Sequence, residues 1–363
     1  MKNLLGVLCA CCVSLFGILT CIPLLTAGEQ PRTGVSHNMS LREIAQNKLH
    51  HDGERFTNPF NSKHYRDFSE VLRWKLFSKN QFKQFYKDEE VLPVRIDWHE
   101  VADNAGVSIT FITHSTIMIK DMDTYILVDP VLFGLFWPIT DFTPIDFDLK
   151  DMPKPAYILV THGHYDHLDK RSLKYFADTA RYISPLGYRD ILEDVGAQSI
   201  TELDWFDSHR DGSREIMLLP CNHWTMRNPI VGPNTALWGS FLVKTSTGHT
   251  IYISGDTAYF DRFSEIGREF DIDLAIFNLG AYEPRWFMKK SHISPEDTLR
   301  AFQELRAKKL LVVHWGTFRL GDEPVHFPIA AIKKVMDQAG LSGRLVDLRH
   351  GGTMYLDEVP GTR

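Results

Sequence analysis

The chain has 363 residues, 44% apolar and 24% charged, enough to bury one large core or two ordinary ones and too apolar for intrinsic disorder. Its net charge of −6 argues against nucleic acid as a partner, since binding a phosphate backbone needs clustered positive charge. Cys9, Cys11, Cys12 and Cys21 lie in the first stretch and leave Cys221 alone. Without that stretch no intramolecular disulfide can form, and a zinc site built on thiolates is excluded.

In chain order, residues 1–27 come first: Lys2, then an almost unbroken apolar run from Leu4 to Ala27. This reads as an export signal with Leu25-Thr26-Ala27 as the cleavage site. At ~20 residues the run also has the length of a membrane anchor, and Cys21 is a third option, as a lipid-attachment site. The expected location is exported, periplasmic or membrane-associated. Residues 28–105 form an irregular N-terminal extension expected to pack on a catalytic domain spanning 106–357. Within it, Tyr65–Lys87 mixes Phe68, Trp74, Phe77, Phe82 and Phe85 with Arg66, Arg73, Lys75, Lys79, Lys83 and Lys87. A basic, aromatic, helix-compatible segment suits an anionic membrane surface; the plainer expectation, which we favour, is that the aromatics cap the core and the cations are solvated.

Beyond Gly106 the strand-like runs are "VSITFI", "STIMI", "YILVD", "AYILV", "IMLLP", "LWGSFLVKT", "TIYIS", "LAIFNLG" and "KLLVVH". Helical patterns alternate with the later ones. The spacing predicts a helix over Pro295–Lys308, with Ser294 as N-cap and Glu296 and Asp297 in its first turn. A β-rich start followed by mixed β and α predicts a layered α/β sandwich.

The densest chemistry is "THGHYDHLD" (161–169), where His162, His164, Asp166 and His167 directly follow the run "AYILV". Isolated histidines are usually bland, but donors and charges this crowded need a partner. The same signature recurs: His223 after "IMLLP", Asp256 after "TIYIS" and His314 after "KLLVV". Four strand ends would then deliver ligands to one sheet edge, where the scaffold fixes them. Seven imidazole and carboxylate groups suit a pair of zinc ions with one bridging carboxylate, and would tolerate iron or manganese.

These residues resemble the metallo-β-lactamase superfamily. The segments "VLRW" (71–74), "RFTNPF" (55–60), "LWGS" (237–240), "GDTAY" (255–259), "EPRWFMKKSH" (283–292) and "HWGTF" (314–318) further resemble the N-acylphosphatidylethanolamine-hydrolysing phospholipase D family, over roughly Arg55–Leu356. The resemblance implies a four-layer αβ/βα sandwich with two zinc ions per chain. His162, His164 and His223 would hold one ion, Asp166, His167 and His314 the other, and Asp256 would bridge. Asp166, Asp256 and His292 would carry catalysis, with His292, Tyr282 and Glu283 meeting substrate. His292 also has a plainer reading, pairing with a carboxylate at a helix approach. Arg285, Lys289 and Lys290 are either phosphate contacts or a solvated cationic loop. Gly163 departs from the asparagine expected between the first two ligands; a glycine there would loosen the loop and remove no ligand.

The implied reaction is hydrolysis of N-acylphosphatidylethanolamine to N-acylethanolamine and phosphatidic acid. The alternative, on the same fold, is attack on a lactone or other acyl substrate. As partners the reading gives a phospholipid substrate and a membrane surface, excludes nucleic acid, and leaves a homodimer open.

Overall fold

A computed structural model describes residues 39–60 and 68–356. The leader and the first residues of the basic aromatic segment lie outside the described residues. Among those described, no helix is long and apolar enough to cross a membrane.

Before the first sheet come α1 (Leu41–Gln46), β1 (His51–Asp52), β2 (Arg55–Phe56), α2 (Phe68–Leu72) and α3 (Trp98–Asp103). The first sheet then forms from β3 (Val107–Thr113), β4 (Thr116–Asp121), β5 (Thr124–Val128) and β6 (Tyr157–Leu159). After α4 (Lys170–Tyr175) come β7 (Arg181–Pro185), α5 (Arg189–Asp194) and β8 (Ser199–Leu203). The second sheet comprises β9 (Ser208–Asp211), β10 (Arg214–Leu219), β11 (Ser240–Lys244), β12 (Thr250–Ile253), β13 (Leu274–Asn278) and β14 (Lys309–Val313). Helices α6 (Phe263–Glu269), α7 (Arg285–Met288), α8 (Pro295–Leu305) and α9 (Phe327–Gln338) punctuate it, and β15 (Thr353–Tyr355) returns to the first sheet.

The sheet orders are β15-β3-β4-β5-β6-β7-β8 and β14-β13-β12-β11-β10-β9. Each begins as an antiparallel meander and ends in parallel strands, joined by helical crossovers except between β5 and β6, where residues 129–156 form an irregular connection. Period-two alternation builds the layers. Val107, Ile109, Phe111, Ile117 and Ile119 face Ile216, Leu218, Phe241, Val243 and Ile276 across the inter-sheet core. The alternate residues Ile112, Met118, Leu127 and Ile158 meet Leu173 and Leu192 of α4 and α5. On the other side Leu242, Tyr252, Ala275 and Phe277 meet Phe263 of α6, Phe302 of α8 and Ile332 of α9. The expected four-layer αβ/βα sandwich is therefore present.

The predicted strand runs all form strands, while β1, β2, β7, β8, β9 and β15 are additional. Ser294 caps α8 by accepting from the Asp297 N–H, as the sequence predicts. The helix ends at Leu305 rather than Lys308, because Arg306 turns left-handed at φ 56° so that Lys309 can enter β14. The basic aromatic segment breaks into α2, a π-turn at Arg73–Phe77 and a 3-10 turn at Lys83–Asp88. Trp74 is buried and donates to Asp322 Oδ1 at 3.0 Å, and Phe82 and Phe85 pack on Phe327. Leu76 and Phe77, by contrast, stay in solvent. Part of the segment thus caps the core and part does not.

Candidate metal centre

The C-terminal ends of β6, β10, β12 and β14 meet along one edge, and the loops that leave them carry the predicted ligands. Thr161–His167 leaves β6, His223 follows β10, Asp256 follows β12 and His314 follows β14. Gly255 supplies the turn into Asp256 at φ 56°, with its α-carbon face against Thr161, so a side chain there would be both strained and obstructed.

The predicted groupings assemble. His162 Nε2 lies 2.9 Å from His164 Nδ1, which lies 3.3 Å from His223 Nε2. Hydrogen bonds on the far side of two rings fix their tautomers. Thr161 Oγ1 donates to Asp129 Oδ2 at 2.6 Å, so it must accept from His162 Nδ1–H at 3.0 Å. The Ser291 carbonyl accepts from His223 Nδ1–H at 3.0 Å. Both Nε2 atoms therefore turn bare lone pairs towards His164. Burial chiefly, and then the neighbouring imidazoles, hold His162 and His223 well below the ordinary histidine value, and burial takes His164 to about 4. Neutral nitrogens aimed at a common point repel unless a cation lies between them. Zinc–nitrogen bonds of about 2.0 Å in a tetrahedron put ligand nitrogens roughly 3.3 Å apart, close to these separations. The remaining N–H groups held by a hydroxyl and a carbonyl are the usual supports of metal-bound imidazoles.

In the second group His167 Nε2 lies 3.3 Å from His314 Nε2, and Asp166 Oδ2 lies 3.5 and 3.4 Å from the two. His167 Nδ1–H donates to Asp129 Oδ2 at 2.7 Å, so one carboxylate orients ligands of both groups. Burial alone would lower His167, but Asp256 and Asp166 outweigh it and hold the ring well above its ordinary value. That reversal marks a point of negative potential suited to a cation. Burial would likewise raise Asp166 and Asp256, yet the surrounding imidazoles keep both well below the carboxylate range.

Asp256 stands between the groups. Its Oδ2 is 3.9 Å from His162 and His223 Nε2 and 3.3 Å from His167 Nε2, while Oδ1 is 3.3 Å from His314 Nε2. Asn278, at the end of β13, donates to Oδ1 at 3.0 Å and sets the carboxylate's rotation. His292 comes in from the loop before α8, with Nδ1 3.7 Å from Asp256 Oδ2 and some exposure to solvent.

Several residues sit differently from expectation. Tyr282 packs into the apolar cluster beneath α8, and the Glu283 carboxylate accepts from the Arg285 N–H. Arg285 is neither a free phosphate contact nor a solvated cation: it donates to the Tyr282 and His292 carbonyls and to Asp297. Lys289 is exposed and Lys290 partly so. Gly163 does not loosen its loop. Its N–H donates to Thr225 Oγ1 at 3.0 Å, and a Cβ would stand 2.8 Å from Tyr188 Cε1.

The sequence reading missed His114 and Asp129. His114 completes the second group with Asp166, His167 and His314. It sits in the turn between the runs "VSITFI" and "STIMI", the same strand-end position that marks His223 and His314. Asp129 ends the run "YILVD" in the same way, so the strand-end signal that marks His223 and His314 could have found both.

Residues 124–315 match the family model described as a beta-lactamase superfamily domain. The chain is 30% identical to an N-acyl-phosphatidylethanolamine-hydrolyzing phospholipase D 1 of Caenorhabditis elegans, over 69% of this chain and 77% of that one. The chain belongs to the metallo-β-lactamase superfamily. Another relative, a mitochondrial N-acyl-phosphatidylethanolamine-hydrolyzing phospholipase D of Saccharomyces cerevisiae, is 32% identical over 59% of this chain and 48% of its own length. A possible metal-dependent hydrolase from Veillonella parvula shares the fold with a TM-score of 0.58 at 16% identity, over 69% of this chain and all of that one. As a member of this superfamily the chain is a metal-dependent hydrolase.

Proposed function

We propose that the protein is a zinc-dependent phosphodiesterase that hydrolyses N-acylphosphatidylethanolamine-type phospholipids to N-acylethanolamine and phosphatidic acid, with two zinc ions per chain. The observation that carries the reading is Asp256, whose two oxygens lie 3.3 to 3.9 Å from histidines of both groups. The printed names of the worm and yeast relatives support the substrate class. A donor set of imidazole and carboxylate without thiolate supports zinc.

Zinc held there would supply Lewis acidity towards phosphoryl oxygens and towards water. The chain's own part is positional. His162, His164 and His223 would hold one ion, and Asp166, His167 and His314 the other. Asn278 keeps Asp256 from rotating out of the gap, and Asp129 keeps His162 and His167 in their tautomers. Burial keeps the His292 imidazole neutral, at about 4, so at neutral pH it can donate one N–H to a phosphate oxygen or to the departing alkoxide.

A membrane surface is the second partner we propose. Exposed Tyr165 belongs to the ligand loop itself, and exposed Phe136 packs edge-on against it. Exposed Trp286 belongs to α7, just before the loop that carries His292, with Arg73 over its ring. Apolar side chains beside a phosphodiester site suit a substrate drawn from a bilayer.

Incubating the purified protein with N-acylphosphatidylethanolamine and, separately, with a panel of lactones tests the reading, with zinc content measured on the same sample. Release of N-acylethanolamine and phosphatidic acid at two zinc per chain is the expected result. Lactone opening with the phospholipid left intact would replace it.

A further inference from the structure

His114 is wholly buried and holds the left-handed conformation, at φ 48°, in the turn between β3 and β4. That conformation is uncommon for a residue other than glycine, although histidine, like asparagine and aspartate, adopts it more readily than most, and it persists where surrounding structure enforces it. Here the enforcement is visible on the backbone. The His114 N–H donates to Thr317 Oγ1 at 2.8 Å, and its carbonyl accepts from the His314 N–H at 2.7 Å. Its ring lies 4.0 Å from the His314 ring, and its Nε2 lies 3.0 Å from Asp166 Oδ2. A carboxylate can only accept, so Nε2 carries the proton. Nδ1 is then bare, and it is buried with no hydrogen-bond partner among the described residues.

We infer that His114 is a positioning residue for the second cation, its side chain fixing Asp166 and its backbone carbonyl fixing His314. Oδ2 of Asp166 has two lone-pair directions. The His114 N–H occupies one, which leaves the other facing the gap between His167 and His314. The first group has no such dependence: His162 leans on Thr161 and His223 on the Ser291 carbonyl. Loss of the His114 hydrogen bond therefore weakens one cation and spares the other.

This inference rests on the two-cation reading above, and the two can fail separately. The test measures zinc per chain after dialysis, then stepwise affinity by competition with a chromophoric chelator, on the full chain and two variants. His114→Asn keeps a side chain that tolerates the left-handed turn but is too short to reach Asp166. His114→Gln restores a donor at nearly the original reach. The wild type is expected to bind two zinc ions. His114→Asn should keep the tighter ion at wild-type affinity and bind the weaker one about 10- to 100-fold less well, with an unchanged melting temperature of the zinc-free protein. His114→Gln should recover most of that loss. Unchanged affinity for both ions in His114→Asn would overturn the role, as would both ions weakening together with the melting temperature, or a glutamine variant no tighter than the asparagine one. A wild type that binds only one ion would sink the two-cation reading itself, before any variant is compared.

Discussion

Asp204 and Asp256 are both buried carboxylates ringed by imidazoles, and the rings are built differently. At Asp204, Oδ1 accepts from His50 Nε2 at 2.5 Å and from the Trp205 N–H at 2.7 Å, and Oδ2 accepts from Lys48 Nζ at 2.5 Å and His51 Nε2 at 2.8 Å. Each of these donors meets an acceptor, and the Lys48 ammonium supplies the counter-charge. At Asp256 the histidine nitrogens stand 3.3 to 3.9 Å away and point at one another. His50, His51 and Asp204 do bring their ligand atoms within 4.8 Å of one another, the same spread found in the two catalytic groups. Crowding of the right residue types therefore does not make a metal site. Lone pairs left facing each other do. The Asp204 cluster is a clasp that fastens Lys48–His51 to the corner after β8.

The sharpest break of this contrast is Asp256→Asn. Losing the whole bridging charge, and one of the two acceptor oxygens, should lower turnover about a thousandfold or more, worth roughly 4 kcal/mol in the barrier, and should reduce bound zinc in the same sample. Turnover within tenfold of wild type would refute a bridging role. Asp204→Asn should instead leave zinc content and turnover alone and lower unfolding stability by about 2–3 kcal/mol, because buried His50 loses its anionic partner. A drop in zinc per chain in that variant would mean that the clasp too holds metal.

The pH dependence of stability sharpens the comparison further, because a third buried carboxylate behaves oppositely. Glu323 accepts only neutral donors, the Tyr282 and Glu283 N–H groups at 2.9 and 3.1 Å, and burial pushes it from the ordinary 4.5 up to about 7. A raised acid favours folding while protonated, so that stability is complete below about 4.5 and is lost as pH rises through about 7. At Asp204 burial would raise the carboxyl, but the His50 and Lys48 hydrogen bonds outweigh it and hold it below the usual range. Its contribution is present above the ordinary carboxylate value and is lost as pH falls. Denaturant titrations across this range should therefore show Glu323→Gln losing stability less steeply than wild type as pH rises from about 4.5 to about 7. Asp204→Asn should flatten the acid limb only. Parallel curves for wild type and Glu323→Gln would show that Glu323 does not titrate in this range.

The strands and the seven ligands were legible because both signals are local: a period-two apolar run, and histidine or aspartate at its end. The edge strands β9 and β15 escaped because their residues are only partly buried and carry no apolar run. His114 and Asp129 carry the same local signal and were legible too; what the sequence withholds is their role, because their bonds to Asp166, Thr161 and His167 form only when the ends of β3 and β5 align beside β6. Arg285 was the reverse case. Its charge and its place near His292 suggested a ligand contact, but its partners, two backbone carbonyls and Asp297, are set by the fold of the loop. The clasp drew no attention, and a reading by residue type alone would have called it metal-binding.

Gly163 gives the smallest effect and a test of how rigid the ligand loop is. Sequence resemblance placed an asparagine here, yet Tyr188 and Thr225 fill the volume such a side chain would need. The space is closed by a buried tyrosine whose hydroxyl lies 3.3 Å from Thr225 Oγ1, itself the acceptor for the Gly163 N–H. Gly163→Ala should therefore cost about 1–2 kcal/mol of stability through overpacking, and should weaken zinc binding only through the displacement of His162 and His164 on either side. Combining it with Tyr188→Leu, which opens the space, distinguishes crowding from lost backbone freedom. If crowding is the cause, the alanine costs clearly less in the leucine background than in the wild type, a coupling that a double-mutant cycle measures directly. Equal cost in both backgrounds would mean that the loop yields at Gly163 and that Tyr188 does not hold it.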